Sequence, residues 1–384
     1  MNLELDSALA LEAAKHFYRL GPSWSWRTIR LLEKIKAGSC IREAFGLALE
    51  YARTGGGVTA RDPAEEGKRG ERLYAMAAES DRGRAIEALR QMLWADPELL
   101  HDLKPFILEM MSDSCPAIRT ELASLCYAVA FREENRSFAT ELFIQLATDR
   151  LPDEHVLTSH WPFKFMHTGL VRDWSLFLPI LKKMSASSSS EVRSTAARLI
   201  CIAVISGVDA IPLCQECVAS PDPKVRAACA DVLSHNLDVE EGKPWTTEAL
   251  LELANDPDQD VCRAAGFSFN RSRGIDFAPL TDFLTRYVRS RAFVRNAGVF
   301  IHAVVKSPSV LPATVFDMVE TLIVRLHEPV EEDSDRLAWY IDSISPLLTR
   351  LYHENRDGIL RKRALDLIDQ LCVNGSVSHD SLDQ

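Results

Sequence analysis

The chain has 384 residues, 47% hydrophobic and 26% charged, with 17 Gly and 18 Pro, so it can bury a substantial core and is neither low-complexity nor collagen-like. Fifty-five acidic against 44 basic side chains leave a net charge of -11, which excludes a surface built throughout to grip nucleic acid and leaves only local basic stripes for such a task. Nine cysteines, an odd number set mostly in apolar helical patterns, read as small buried side chains in a reducing, cytoplasmic setting.

Glu4 and Asp6 stand where an export signal would need basic residues, and no adequate apolar stretch follows them. The longest uncharged apolar run, 199–208, is about half the ~20 residues a membrane-crossing helix requires, so no membrane role is expected. Residues 1–75 read as a helical cap. It carries Trp24 and Trp26, a helix at 41–52 and a loop at 54–70, whose Gly55-Gly56-Gly57 run predicts a mobile connection. Residues 82–94 give the second helix of this first unit.

From 76 to 373 the chain repeats itself. Ile118-Arg119 with Leu122, Val192-Arg193 with Ala196, Val225-Arg226 with Cys229, Val261-Cys262 with Ala265, Val294-Arg295 with Gly298, and Leu360-Arg361 with Ala364 share one pattern. The anchors are 74, 33, 36, 33 and 66 residues apart, which sets a period of 33 to 37. Each anchor opens an amphipathic helix, and a first helix precedes it at 100–111, 174–184, 211–219, 247–254, 280–288 and 346–353. Degenerate pairs are expected at 138–148 with 155–170 and at 313–326 with 335–344. Ser220-Pro221-Asp222-Pro223 supplies a helix cap followed by Pro in the first turn, and 374–384 reads as a flexible, unpatterned tail.

The Asp, Val-Arg, small-residue order resembles HEAT repeats of the armadillo-like class. That resemblance implies an all-α, α-α superhelix, a right-handed solenoid of about eight or nine helix pairs. It also implies an inter-repeat ladder of Asp and Arg, carried here by Asp113 with Arg119, Asp222 with Arg226, and Asp357 with Arg361. Cys262 replaces one Arg, and Arg289 and Arg291 stand at acidic positions, so the ladder is expected to break there.

Chemistry-bearing motifs are sparse. Gly67-Lys68 and Gly242-Lys243 lack the remainder of a phosphate-binding loop, and no Gly-x-Ser-x-Gly elbow occurs. Cys214 and Cys217 form one Cys-x-x-Cys without two further ligands at a recognisable spacing, so they read as core. His327-Glu328 and His353-Glu354 resemble the His-Glu ligands of HEAT-repeat deoxyhypusine hydroxylases, but that di-iron set needs four such dipeptides and these two lie 26 residues apart, off the period.

Arg286, Arg289, Arg291 and Arg295, with Arg271 and Arg273 nearby, form a basic cluster suited to an acidic ligand or partner. The alternative is a solvated face, or pairing with the acidic stretch from Glu328 to Asp335 one repeat further on. An alkylpurine DNA glycosylase-like HEAT protein would use such arginines, although the aromatic residues nearby fit a core better than a stacking platform. Trp24, Trp26 and Trp161 are candidate aromatic anchors for a partner.

Two stretches, 71–89 and 348–371, resemble the C-terminal repeats of bacterial STAND-type NTPases of the NACHT sort associated with antiphage defence. The resemblance implies a sensor or scaffold whose partner is a STAND-type NTPase module or a phage-derived ligand. The reading that results is a non-enzymatic protein-binding scaffold without cofactor, with a HEAT-repeat enzyme or a nucleic-acid binder as the alternatives.

Overall fold

A computed structural model describes residues 3–35, 40–56, 69–148, 154–237, 243–266, 277–307, 309, 311–326 and 334–380. Every regular element among them is helical. Two compact units follow one another, Met1–Leu199 and Ile200–Gln384. The first 75 residues, expected as a separate cap, fall inside the first unit.

Unit 1 contains α1 (Leu3–Arg19), α2 (Ser25–Leu32), α3 (Ile41–Thr54), α4 (Arg69–Glu79), α5 (Asp81–Ala95), α6 (Leu100–Met110), α7 (Pro116–Ala130), α8 (Arg136–Thr148), α9 (His160–Ser185) and the start of α10 (Ser190–Ile205). Two rows are evident. First helices α1, α3, α6 and α8 are joined by Lys15–Glu43 at 2.7 Å, Arg53–Glu109 at 2.9 Å and the Lys104 ammonium 4.5 Å from the Phe138 ring. Second helices α2, α5, α7 and the first part of α9 pack in succession beside them.

A kink divides α9 at Asp173, whose φ of -130° and ψ of 45° are not helical. There the chain passes from a second helix to the next first helix. Gly169 makes the turn close: a Cβ at that position would lie 2.6 Å from the Phe177 ring. Phe177 in turn packs on Phe143 and Phe165, whose rings stack 4.3 Å apart in the core.

Unit 2 contains α11 (Ile211–Val218), α12 (Pro223–Ser234), α13 (Lys243–Ala254), α14 (Gln259–Gly266), α15 (Thr281–Tyr287), α16 (Arg291–Lys306), α17 (Pro312–Leu326), α18 (Ser334–Glu354) and α19 (Gly358–Asp380). Here α12, α14, α16 and α18 form one row, and α11, α13, α15, α17 and α19 the other. The C-terminus departs from the sequence pattern. The separate helices expected at 335–344 and 346–353 are one helix, α18, with Pro346 in its interior. Consequently the Leu360-Arg361 helix, α19, packs beside α17 in the first-helix row, where Arg363 reaches Glu320. Helix α19 also continues through Asn374 to Asp380, into the expected tail.

The Val-Arg signature has a local cause. The last carbonyls of the turn before each second helix point away from any helical partner, and the Arg behind the anchor turns back to one of them. Arg119 Nη1 donates to the Asp113 carbonyl at 2.6 Å, Arg193 Nη1 to Ser187 at 2.7 Å and Arg226 Nη1 to Ser220 at 2.7 Å, each spanning six residues. Cys262 preserves the arrangement in its own unit, with Sγ 3.2 Å from the Asp256 carbonyl, again six residues back. Asp222 caps α12 by accepting from the Lys224 amide at 3.0 Å, and Ser290 caps α16 through the Phe293 amide at 3.3 Å. Among the described residues no helix is long and apolar enough to cross a membrane.

Candidate functional site

Two of the ladder positions are joined across repeats. Arg226 pairs with Asp256, and Asp113 pairs with Arg82. Asp222 serves as the cap just described, while Asp357 accepts from the Ile359 amide at 2.8 Å and caps α19. Arg361 lies 4.4 Å from the Tyr352 ring centroid. The ladder acids thus sit one repeat away from the arginines they hold.

The basic cluster is partly neutralised. Arg286 forks onto Glu248, with Nη2 to Oε2 at 2.8 Å, and Arg289 reaches Asp317 at 2.8 Å. Arg291 adds to the positive field that holds the Asp256 carboxyl down. Arg271, Arg273 and the side chain of Arg295 lie outside the described residues, as do His327 and Glu328. His353 is exposed near the end of α18.

A different cluster forms on the second-helix row of unit 1. Trp26 of α2, 43% exposed, lies between Arg30 and Arg84, whose guanidinium carbons are 4.9 and 5.6 Å from its ring. Two turns along α5, Arg90 rests 4.3 Å from the Trp161 ring while its Nε donates to Glu87 at 2.7 Å. Lys164 lies 5.0 Å from Tyr127 and 5.2 Å from Trp161. Trp24, by contrast, stacks on Phe17 at 5.1 Å and carries Arg27 at 4.5 Å, off this cluster.

Near Arg90 and Glu87 of this cluster lies Glu121, 2% exposed on α7, whose Oε2 has no hydrogen-bond partner. Burial raises its pKa to about 8; Glu87 adds to the rise, and Arg90 and the Ser124 hydroxyl oppose it. The Trp161 indole N–H is also buried without a partner. Position 121 is the one acidic side chain in the apolar α7 sequence PAIRTELASLCYAVA, a signal readable in the sequence that a search for motifs passes over.

Glu121 lies beneath α4, a helix the sequence pattern does not predict. Inserted between α3 and α5, this helix lies on α5, α7, the 154–158 turn and α9. Leu73 and Ala77 pack on Ala117 and Val156, flanked by Met76 and Cys115. Because Ala117 and Glu121 are one turn apart, both face α4. The Tyr74 ring lies 5.5 Å from His160, and Glu121 and Glu87 add to the burial that raises the Tyr74 pKa.

The start of α4 is held from a distance. Arg69 and Gly70 donate their amides to the Glu191 carboxylate, both at 3.0 Å, and the Thr158 hydroxyl joins at 3.0 Å. Burial pulls the Glu191 pKa upward, but these donors and His155 outweigh it and hold the carboxyl below its ordinary value.

In unit 2 the Cys-x-x-Cys acquires neighbours that its spacing does not show. Cys201 Sγ lies 3.1 Å from Cys214 Sγ, and Cys229 is hydrogen-bonded to both Cys201 and Cys217. All four are buried. Contact with the other thiols, with burial added, drives the Cys201 and Cys217 pKa values well above the ordinary range. Even so, no group of three or more His, Cys, Asp or Glu among the described residues is arranged to hold a metal ion.

Two clefts also open on the surface. One of about 320 Å³ in unit 1 is lined by Trp94 and Phe131, whose rings meet edge to face at 4.5 Å. The other, about 660 Å³ in unit 2, is lined by Trp245, Glu248 and Arg286.

The class these features define is an all-helical repeat protein with an aromatic and charged second-helix face. Residues 177–268 match the family model described as HEAT repeats. Among solved structures, an engineered protein is 15% identical, with 97% of this chain and 99% of that one covered and a TM-score of 0.37. Importin beta is 13% identical over 91% of this chain and 48% of its own, with a TM-score of 0.35. A Pds5–Scc1 complex structure gives 14% identity, coverage of 91% and 60%, and a TM-score of 0.32. The chain therefore spans about half of the importin beta chain. No curated protein matches it.

Proposed function

We propose that this chain is a non-enzymatic protein-binding scaffold whose working surface in unit 1 is the second-helix row. The observation that carries this reading is the cluster of Trp26, Arg84, Arg90, Tyr127, Trp161 and Lys164, drawn from four successive second helices. Aromatic and arginine side chains dominate the energetics of protein interfaces, and this surface offers both. Repeat helices that lean only on their neighbours leave such a face extended, and a long rigid face suits a macromolecule better than a small substrate.

The finer reading is a cytoplasmic sensor that restrains or releases a STAND-type NTPase in antiphage defence. It rests on the wording of 71–89 and 348–371, the first of which runs through α4 and into α5. The test is site-specific photocrosslinking from position 26 in the native host. The scaffold reading expects a discrete protein adduct that disappears in Arg30→Glu, an exposed position beside Trp26, with the melting temperature nearly unchanged. An adduct pattern indifferent to Arg30, or none at all, overturns it.

A further inference from the structure

Helix α4 is a poor match for the site it fills. Its apolar anchorage is two buried side chains, Leu73 and Ala77, with Met76 half-buried beside them. Beneath it Glu121 keeps an unpartnered carboxyl oxygen, and Trp161 an unpartnered indole N–H, in a place that water does not reach. A buried polar atom left without a partner forfeits free energy, and any occupant that supplied the missing donor would recover it.

No donor of the protein reaches that carboxyl oxygen. Arg90, the nearest cation by its effect on Glu121, is committed to Glu87 at 2.7 Å and to the Trp161 face at 4.3 Å. Tyr74, the α4 residue whose ionisation responds to both Glu121 and Glu87, brings a phenol but no positive charge and makes no hydrogen bond to either carboxylate.

From this mismatch we propose that the α4 site is a receptor groove for an amphipathic helix of a partner protein bearing Lys or Arg where α4 bears Tyr74. Helix α4 closes the groove until that partner arrives. The occupant's chemistry follows from the groove. Small and medium apolar residues at the Leu73 and Ala77 positions, four apart, seat on Ala117 and Val156. A cation one residue after the first of them meets Glu121 and Glu87; the Glu121 carboxyl gives up to solvent the proton that burial keeps on it and accepts a charge-assisted hydrogen bond at the oxygen that α4 leaves bare. The in-cis helix is held at its end by Glu191 through backbone amides, which a partner helix can imitate if it carries Gly at the Gly70 position.

This inference rests on the protein-binding reading, and its test separates the two. Labelled, acetylated peptides of residues 69–79, RGERLYAMAAE and its Tyr74→Lys form, are titrated by fluorescence anisotropy against the full chain and its Leu73→Asp variant, which weakens the in-cis helix. The Lys peptide is expected to bind about tenfold more tightly than its parent. Glu121→Gln in the full chain should bring that preference to about onefold, and Leu73→Asp should tighten both peptides.

A preference that survives Glu121→Gln, or no binding of either peptide to a folded Leu73→Asp chain, overturns the proposal. Should Leu73→Asp fail to fold, Glu191→Gln, which weakens the tether along with the contacts to Thr158 and His155, takes its place with the same expectations. Tyr74→Lys in the full chain gives an independent readout: it should raise the melting temperature and abolish peptide binding, whereas a fall in both melting temperature and peptide exclusion counts against the groove. A crosslinked partner at position 26 with indifferent peptides would leave the scaffold reading standing without this one.

Discussion

The guanidinium of Arg226 grips both carboxylate oxygens of Asp256, thirty residues on, with Nε to Oδ2 at 2.6 Å and Nη2 to Oδ1 at 3.0 Å. Its remaining arm holds the Ser220 carbonyl, so one side chain ties its own turn to the next repeat. With side-chain exposures of 15% and 7%, the pair is screened little. Asp256→Asn should therefore cost about 3 kcal/mol, and a double-mutant cycle with Arg226→Met should return a large coupling energy. Burial alone would raise the Asp256 pKa, yet Arg226 and the Asp258 amide hold it below its ordinary value. A depressed folded pKa gives stability that is present at neutral pH and is lost as pH falls through the folded value. Urea titrations at pH 7 and pH 3 check this: the difference between wild type and Asp256→Asn should shrink at the lower pH.

Glu121 behaves in the opposite sense. Its folded pKa of about 8 lies above the ordinary 4.5, so between those values the folded chain keeps a proton that the unfolded chain releases. Stability from this group is full below pH 4.5 and declines as pH rises to about 8. Glu121→Gln keeps the shape and removes the titration. It should be nearly neutral at pH 4.5 and clearly stabilising at pH 9, as read from denaturant midpoints. Equal effects at both pH values would show that the carboxyl is already ionised in the fold.

What the sequence discloses and what it hides differ by range. The Val-Arg anchors are legible because their cause is local: Arg119, Arg193 and Arg226 each serve a carbonyl six residues back. The partner of Arg226 is not legible, since Asp222 and Asp256 both stand before a second helix and only packing chooses between them. Helix α4 is missed because two buried apolar residues, Leu73 and Ala77, make too weak a stripe to read beside a Gly-rich loop. Pro346 misleads for the reverse reason: it reads as the first turn of a new helix, yet α18 carries it in its interior. Cys201 and Cys229 lie on helices flanking α11, so their approach to Cys214 and Cys217 comes from helix stacking and leaves no trace in spacing.

Those thiols give a direct test of burial. Cys126, Cys201, Cys214, Cys217, Cys229 and Cys262 are buried, whereas Cys372 is exposed and Cys40 and Cys115 are half-buried. Burial pushes the Cys126 thiol up to about 12, and neighbouring thiols with burial drive Cys201 and Cys217 well above the ordinary thiol range. Only a thiolate attacks an aromatic disulfide reagent at a useful rate. At pH 8 the native chain should therefore react quickly at Cys372 and more slowly at Cys40 and Cys115, with the other six appearing only in denaturant. Peptide mapping of the labelled cysteines reads this out, and early labelling of Cys201 or Cys214 would contradict the packing of α10 on α11.

Gly70 bears on how firmly α4 is seated. A Cβ there would fall 2.0 Å from Thr158 Oγ1 and 2.8 Å from the Thr158 carbonyl carbon, and the second contact is backbone that no rotamer change relieves. Gly70→Ala must lift the first turn of α4, lengthening the amide contacts to Glu191 that now stand at 3.0 Å. Because α4 contributes few apolar contacts, global stability should fall by only on the order of 1 kcal/mol. Local opening should rise far more, since the helix is the cheapest part of unit 1 to detach. Hydrogen exchange is expected to quicken at least about tenfold across 71–79 while the α7 amides keep their protection. Trypsin should likewise cut sooner after Arg72. Uniform acceleration across α4 and α7 together would instead mean that α4 is integral to the core of unit 1 and leaves only when the whole unit unfolds.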